Sequence, residues 1–167
     1  MDSIFERISV RRFMDTPVEQ EKIEQLLRAA MAAPSAGNQQ PWEFYVVRDE
    51  ETKKALSKCS LFARPAAKAA AVIVPCMRTE GLRFPETAQI DLAAATENIL
   101  LEIAALGLGG VWLGIAPVEE RMRIASEALG LPEGLRPFSL IALGYPAEGH
   151  PQEDRYDAGR VHYVEGR

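Results

Sequence analysis

Cysteine is scarce in this sequence, with Cys59 and Cys76 the only two among 167 residues. Two thiols are too few for the disulfide framework that stabilises small secreted domains. The N-terminus carries Asp2 and Glu6 without the apolar stretch of a signal peptide, and no apolar run approaches the roughly 20 residues of a membrane-spanning helix. We therefore expect a soluble protein of the reducing cytoplasm that does not enter a membrane.

Basic residues are also in the minority. The chain has 19 Lys and Arg against 24 Asp and Glu, a formal net charge of -5. Binding to nucleic acid needs a basic face that neutralises phosphates, so this balance argues against a nucleic-acid partner. His150 and His162 stand alone, and the Cys, His and acidic residues lack metal-ligand spacing. We expect no metal site and no side chain that acts as catalytic acid, base or nucleophile.

The length suits one domain, which we take to span residues 1–167. A capping box of Ser3 and Glu6, with Ile4, Phe5 and Ile8 on one face, predicts a short helix that delivers Arg7. Apolar periodicity and capping residues predict further helices at 19–32, 50–59, 84–106 or 87–106, and 118–129. Apolar and β-branched content predicts strands at 43–47, 71–74, 109–114 and 138–143. Residues 161–164 are also strand-like but have no sequence neighbour with which to pair.

Such alternation ordinarily indicates a parallel, doubly wound sheet. Here Gly107, Gly109 and Gly110 follow a helix and precede a strand, which is the wrong order for a dinucleotide-binding loop. The sequence therefore argues against that fold.

The most distinctive basic cluster is Arg7, Ser9 and Arg11. In an extended chain, alternate side chains point to the same side, so two guanidinium groups and a hydroxyl would converge on one point. Such donors suit a phosphate. The alternative is a solvated basic turn after a short helix.

Four stretches occur in an order that resembles the FMN-dependent nitroreductase family. They are Arg7 to Phe13 (R-x-S-x-R-x-F), Pro34 to Trp42 (P-S-x-x-N-x-Q-P-W), Asp91 to Asn98 running into Leu106 to Gly114, and Ala142 to Pro146. The resemblance covers essentially the whole chain. It implies an α+β fold, a three-layer α/β/α sandwich around a mixed, mostly antiparallel sheet. It also implies a domain-swapped homodimer whose C-terminal segments reach over the partner, which would give residues 161–164 a strand with which to pair.

The resemblance implies FMN sites at the subunit interface. The phosphate and ribityl end would contact Arg7, Ile8, Ser9 and Arg11. The loop with Pro34, Ser35, Ala36 and Asn38 would come from the other subunit to cover the flavin ring. Backbone amides of Leu113 and Gly114 would address flavin N5 and its neighbouring carbonyl. Arg155 matches a further phosphate contact, although Glu153 or Asp154 stands where family members usually have lysine.

Some assignments stay open on the sequence alone. The pyrimidine edge of the flavin would face Arg64, Gln89, Asp91 or water, because Leu61 to Pro65 lacks the polar side chains of longer members. Asp91 and Asn98 could instead make structural hydrogen bonds, since an unpaired buried polar group is costly. Trp112 could belong to the site or to the core.

The activity implied by the resemblance is transfer of hydride from NADH or NADPH, through FMN, to a small-molecule acceptor such as a nitroaromatic or quinone. Two alternatives remain. One is a same-fold flavoenzyme of another reaction type, such as reductive dehalogenation or flavin fragmentation. The other is a module that stores FMN or transfers electrons without turning over a nicotinamide.

Overall fold

A five-stranded antiparallel sheet lies at the centre of the computed structural model, which describes residues 3–164. The strands are β1 (Trp42–Val47), β2 (Ala71–Arg78), β3 (Gly109–Gly114), β4 (Leu135–Pro137) and β5 (Ser139–Gly144). Their order is β1-β2-β5-β3, with β4 also pairing with β2. All these strand pairs are antiparallel, so the expected mixed sheet is antiparallel in its named strands, and its parallel element is an isolated bridge between Ser9 and Gly110.

Five α-helices accompany the sheet in the described part of the chain: α1 (Ser3–Glu6), α2 (Gln20–Met31), α3 (Glu50–Leu56), α4 (Ala88–Ala105) and α5 (Glu119–Leu129). Helix α4 packs against α2 and against β2, β3 and β5, whereas α5 packs against α3 and β4. Both groups bury apolar faces, as periodicity predicts; α2, for example, buries Ile23, Leu26 and Ala30. The expected α+β architecture is confirmed. No helix within residues 3–164 is both long and apolar enough to cross a bilayer.

Strand β2 continues to Arg78, beyond the predicted end at Val74, and passes through Pro75. Proline normally interrupts a central strand because it has no N–H to donate. Here Pro75 lies where the neighbouring strand changes from β5 to β4, and its carbonyl accepts the N–H of Phe138 at 2.8 Å. The N–H that Pro75 lacks therefore falls where β2 changes partner, at a break in the hydrogen-bond ladder.

Three further segments bear on the surface of the fold. Residues 61–68 form 3₁₀ turns. Ile90, on the otherwise largely buried α4, is 69% exposed. Residues 161–164 form no strand within the chain, where Val161, Tyr163 and Val164 are exposed. Strand-forming residues need a neighbouring strand, and the described chain offers this segment none.

Candidate functional site

The N-terminal segment runs along the open edge of β3. The N–H of Val10 donates to the Gly110 carbonyl at 3.0 Å, beside the bridge between Ser9 and Gly110. Val10 is buried against Gly109, where a Cβ atom would lie only 2.8 Å from Val10 Cγ1. Glycine at 109 is thus what lets the two backbones approach. The predicted phosphate segment is fixed to the sheet.

Arg7 lies in a cleft of about 620 Å³ that Gln152 and Arg155 also line. Gln152 Nε2 donates to the carbonyls of Ile4 (3.2 Å) and Arg7 (3.1 Å), which ties the tail to the N-terminal turn. The structure therefore brings together Arg7 and Arg155, two of the predicted phosphate contacts from opposite ends of the chain.

Carboxylates also line this cleft, namely Glu97, Glu153 and Asp154. Arg7 Nε lies 3.9 Å from Glu97 Oε1, at the outer limit of an ion pair. Half-exposed pairs of this kind contribute little stability, roughly 1 kcal/mol or less. The guanidinium of Arg7 is therefore held loosely by protein groups.

Arg11 lies elsewhere. Its N–H donates to Glu148 Oε1 at 3.0 Å, and its Nη1 donates to the Ser9 carbonyl at 3.3 Å. Its side chain lines a second cleft, apart from that of Arg7. The expected convergence of both guanidinium groups on one point is not seen in the single chain. The reason is local: the Arg7 N–H donates to the Ser3 carbonyl at 3.0 Å, so Arg7 completes the turn of α1 and the extended alternation begins after it.

The residues between Pro34 and Gln40 form a loop held by a buried carboxylate. Asp91, which is 6% exposed, accepts the Ala36 N–H (3.0 Å) on Oδ1 and Gln39 Nε2 (2.7 Å) on Oδ2. Asp91 thus has the structural role that the sequence left open. Asn98 has one as well, because its Nδ2 donates to the Ala29 carbonyl at 2.9 Å.

Three residues that sequence reasoning missed complete this support. Gln39 exchanges hydrogen bonds with the backbone of Phe84, at 2.9 Å and 3.0 Å. Arg78 Nη2 donates to the carbonyls of Gln39 (3.1 Å) and Gln40 (2.9 Å). The ring of Phe84 covers Gly37, where a Cβ atom would lie 2.7 Å from Phe84 Cε2. No local sequence pattern predicts these contacts, because they join residues about 40 positions apart.

The predicted contact residues of this loop differ in exposure. Pro34 and Asn38 are exposed, whereas Ser35 and Ala36 are half-buried. Ser35 Oγ accepts the Gln40 N–H at 3.0 Å, which stabilises the positive φ of Asn38 and Gln40 (54° and 46°). The loop is consequently a fixed shape with an exposed outer surface.

The open edge of β3 carries the predicted ring contacts. In an antiparallel strand, the N–H and C=O of one residue face the same side and those of the next face the other. Because the Gly110 carbonyl faces Val10, the Gly114 N–H faces the open edge and the Leu113 N–H faces β5. Of the two predicted amides, that of Gly114 is available to a ligand. Trp112 packs edge-on against Phe138 at 5.7 Å between ring centroids, which is a core contact.

Helix α4 separates the loop from Arg7. Asp91 holds the loop and Glu97 faces Arg7, and six residues of α-helix span about 9 Å. Three clefts are lined by the N-terminal segment of residues 4–17, and none of them contains both Arg7 and a residue of the loop. Ile8 lines the third, a smaller cleft beside α4 of about 300 Å³. Within one chain, the predicted phosphate and ring-covering groups are therefore apart.

Neither of the two cysteines is a reactive thiolate at physiological pH. Burial raises the pKa of the Cys59 thiol to about 11 and that of Cys76 to about 12, so both are neutral at physiological pH. Residues 3–164 contain no cluster of three or more His, Cys, Asp or Glu placed to hold a metal ion. The candidate site therefore offers backbone and side-chain hydrogen-bond donors and the guanidinium groups of Arg7 and Arg155, beside the carboxylates already named.

Comparisons with known proteins agree with one another. The model of the Nitroreductase family matches residues 4–86 and 62–145. A protein of Archaeoglobus fulgidus with the provisional name NADH dehydrogenase/NAD(P)H nitroreductase is 44% identical over 163 residues, which is 95% of this chain and 94% of its own length. A solved structure from Clostridium acetobutylicum, provisionally an NADH oxidase, is 46% identical with a TM-score of 0.95, covering 99% of this chain and 100% of the other. Another from Desulfovibrio desulfuricans, provisionally a nitroreductase in complex with FMN, is 30% identical with a TM-score of 0.83, covering 99% and 95%. On the family match and the sequence identity over nearly its whole length, the chain belongs to the Nitroreductase family.

Proposed function

We propose that this protein is an FMN-dependent oxidoreductase that transfers hydride from NADH or NADPH to a small oxidised acceptor such as a nitroaromatic or a quinone. Residues 1–167 would form a single FMN-binding domain. The relatives supply the class of reaction, and the solved relative with FMN supplies the cofactor. The cytoplasm, where NADH and NADPH are available, is the compartment that we propose.

The residues present fit FMN. The observation that carries the proposal is the single edge of β3, which has the Arg7, Ile8 and Ser9 segment at one end and the exposed Gly114 amide at the other. Gly110 and Gly114 are four residues apart, roughly 13 Å along a strand. That arrangement suits a ligand with a phosphate at one end and a hydrogen-bonding ring at the other.

Each group has a distinct task in this proposal. Arg7 and Arg155 would hold the phosphate with charge-assisted hydrogen bonds, and Ser9 would add a neutral donor. The Gly114 N–H would donate to the ring, and the peptide group of Leu113 would support it from within the ladder. Arg11 would approach the ring from the adjacent cleft. When bound, FMN supplies the carrier that accepts hydride and passes it on, so the protein needs no acid, base or nucleophile of its own.

The ring face would be closed by a second copy of the chain. Pro34, Ser35, Ala36 and Asn38 lie on a fixed, outward-facing loop that is remote from Arg7 in their own chain. Large apolar side chains are exposed in regions that a partner would cover, among them Ile4, Phe5, Ile90 and Tyr163. Strand β1 is also an edge strand of the sheet, and residues 161–164 have strand-forming side chains but pair with no strand of the described chain. We propose a homodimer in which each tail crosses to the partner.

Two measurements test the proposed activity. The purified protein should be yellow, with about one flavin per chain that chromatography identifies as FMN after heat release. Under anaerobic conditions, NADH or NADPH should bleach the flavin absorbance, and a nitroaromatic or quinone should restore it. FAD, or no flavin in a folded preparation, would contradict the cofactor. Bound FMN that neither nicotinamide bleaches would favour a storage or electron-transfer module.

A further inference from the structure

A second cleft, which we call the basic cleft, lies beside the candidate flavin site. It has a volume of about 760 Å³ and lies between the segment after Ser9, the start of α3 and the end of the 61–68 turns. Its basic residues are Arg11, Arg12, Arg48, Lys53 and Lys68, and its acidic residues are Asp15 and Glu50. This excess of positive charge stands out in a chain whose net charge is -5.

Lys53 forms a buried base to the cleft, since it is only 3% exposed. Its Nζ donates to the Ala69 carbonyl at 2.7 Å and to Glu50 Oε1 at 2.7 Å. An ammonium group has three N–H donors, and among the described residues the third has no hydrogen-bond partner. The hydrogen bond from Lys53, and then its charge and those of Lys54 and Lys68, lower the pKa of Glu50. Lys53 therefore neutralises Glu50, and one of its three N–H groups is left for a ligand.

The remaining cations are not neutralised by the protein. Within residues 3–164, Arg11, Arg12, Arg48 and Lys68 have no carboxylate oxygen within 4.0 Å of their charged nitrogens. Asp15 faces the same cleft without pairing with any of them. Like charges grouped in a concave surface concentrate the electrostatic potential and attract anions. The cleft is therefore electrostatically suited to a polyanion.

Apolar surface lies next to this charge. Phe13, Met14 and Pro17 line the same cleft, and Met14 is 52% exposed. A simple inorganic anion would not use this surface, whereas a nucleotide presents a flat ring beside its phosphates. Ligand pockets commonly combine apolar walls with a few charged groups in this manner.

We propose that the basic cleft binds the phosphate groups of an adenine nucleotide, with Arg12, Arg48 and Lys68 as the phosphate ligands and Lys53 supplying a buried donor. The nucleotide could be the ADP half of NADH or NADPH or a separate molecule, since both carry the same chemistry. Arg11, which borders the candidate flavin site, favours the first source. Only that assignment to the donor rests on the proposed function; the binding does not.

The test is a calorimetric titration of the FMN-loaded protein with 2′,5′-ADP. Wild type should bind one equivalent per chain, more weakly as salt rises because the interaction is electrostatic. Arg12→Gln and Lys68→Gln change exposed side chains, and each should weaken binding by about tenfold, as expected for loss of one charge-assisted hydrogen bond. Lys58→Gln is the matched control, because Lys58 is exposed on the same part of the chain but lines none of the three clefts. It should bind as wild type does.

Absence of saturable binding, or binding that neither Arg12→Gln nor Lys68→Gln weakens, would overturn the proposal. A second measurement identifies the source. If 2′,5′-ADP inhibits wild-type NADPH oxidation competitively with respect to NADPH, the cleft holds the donor's own phosphates. Noncompetitive inhibition, or binding without inhibition, would assign it to a separate nucleotide. Failure of the proposed flavin chemistry would be recognised independently, as flavin that is never bleached.

Discussion

Asp91 shows how one buried carboxylate fixes a binding loop. It receives the Ala36 N–H and the Gln39 side-chain amide, two donors whose positions define the loop from Pro34 to Gln40. Substitution by alanine leaves the Ala36 N–H without its acceptor, which costs roughly 1–3 kcal/mol for a buried group. Gln39 Nε2 loses one acceptor but keeps the Phe84 carbonyl and Thr87 Oγ1. Asp91→Ala should lower the free energy of unfolding of the FMN-free protein by about 1–3 kcal/mol, measured by urea denaturation.

Glu86→Ala serves as the control for that measurement. Glu86 is exposed in the 3₁₀ turn two residues before α4 begins, and surface substitutions usually change stability by about 0.5 kcal/mol or less. Equal losses in the two variants would mean that Asp91 does not hold the loop.

The two cysteines give a prediction about pH. Because burial raises the pKa of Cys59 to about 11 and that of Cys76 to about 12, their thiolates should be scarce at pH 8. A chromogenic disulfide reagent should react slowly with the native protein and rapidly with both thiols in urea. A native reaction as fast as the denatured one would contradict the burial of these thiols.

The same shift predicts a loss of stability in alkali. An unfolded thiol titrates near pH 8.5, whereas the folded thiols stay neutral until about pH 11 or above. Their contribution is therefore complete below about pH 8.5 and declines as the pH rises further. The free energy of unfolding should fall between about pH 9 and 11, and less steeply after Cys76→Ala.

At the scale of elements, β3 is the scaffold of the candidate site. Its Gly109 lies so close to Val10 that a methyl group cannot be added without movement, whereas Gly114 has open space where its Cβ would be. Gly109→Ala should therefore lower the free energy of unfolding of the FMN-free protein by about 1–3 kcal/mol, the usual cost of overpacking.

Gly114→Ala makes the same substitution on the same strand, and it should cost less than about 0.5 kcal/mol, as for other exposed positions. If the two variants are equally stable by urea denaturation, the close contact between Val10 and the β3 edge is not a constraint on the fold.

Most of the helices and strands could be predicted from the sequence. The periodicity of α2 and the glycine-bounded β3 gave nearly their observed limits, because local pattern and burial agree there. The predicted β2 ended too early, at Val74, since only tertiary context shows how the strand passes through Pro75 at the break in its neighbour. Residues 161–164 are strand-like, and the pairing predicted for them involves a second chain, so that pairing stays a prediction.

The candidate site could be predicted only in part from the sequence. Motif order identified the segment at Arg7 and the loop at Pro34 as parts of a site. It could not reveal that Arg7 and Arg11 line different clefts, because that depends on where α1 ends. Nor could it find Arg78 or Phe84, which act through contacts distant in sequence.

At the scale of the whole molecule, the central claim is that two chains build each flavin site. Within one chain, the loop at Pro34 contacts α4 at Asp91 and Arg7 contacts it at Glu97, so we propose that a partner's loop completes the site near Arg7. Arg7→Glu should cost about 2–5 kcal/mol of FMN binding by repelling the phosphate. Pro34→Trp adds bulk at an exposed position and should block the ring face.

The decisive measurement is the flavin content of a mixed dimer made from Arg7→Glu and Pro34→Trp chains carrying different tags and purified through both. Each homodimer should be folded but colourless. In the mixed dimer, one site combines the intact Arg7 of one chain with the intact loop of the other, so one FMN per dimer should return together with NADH or NADPH oxidation. A mixed dimer that is folded and dimeric yet colourless would contradict the shared site.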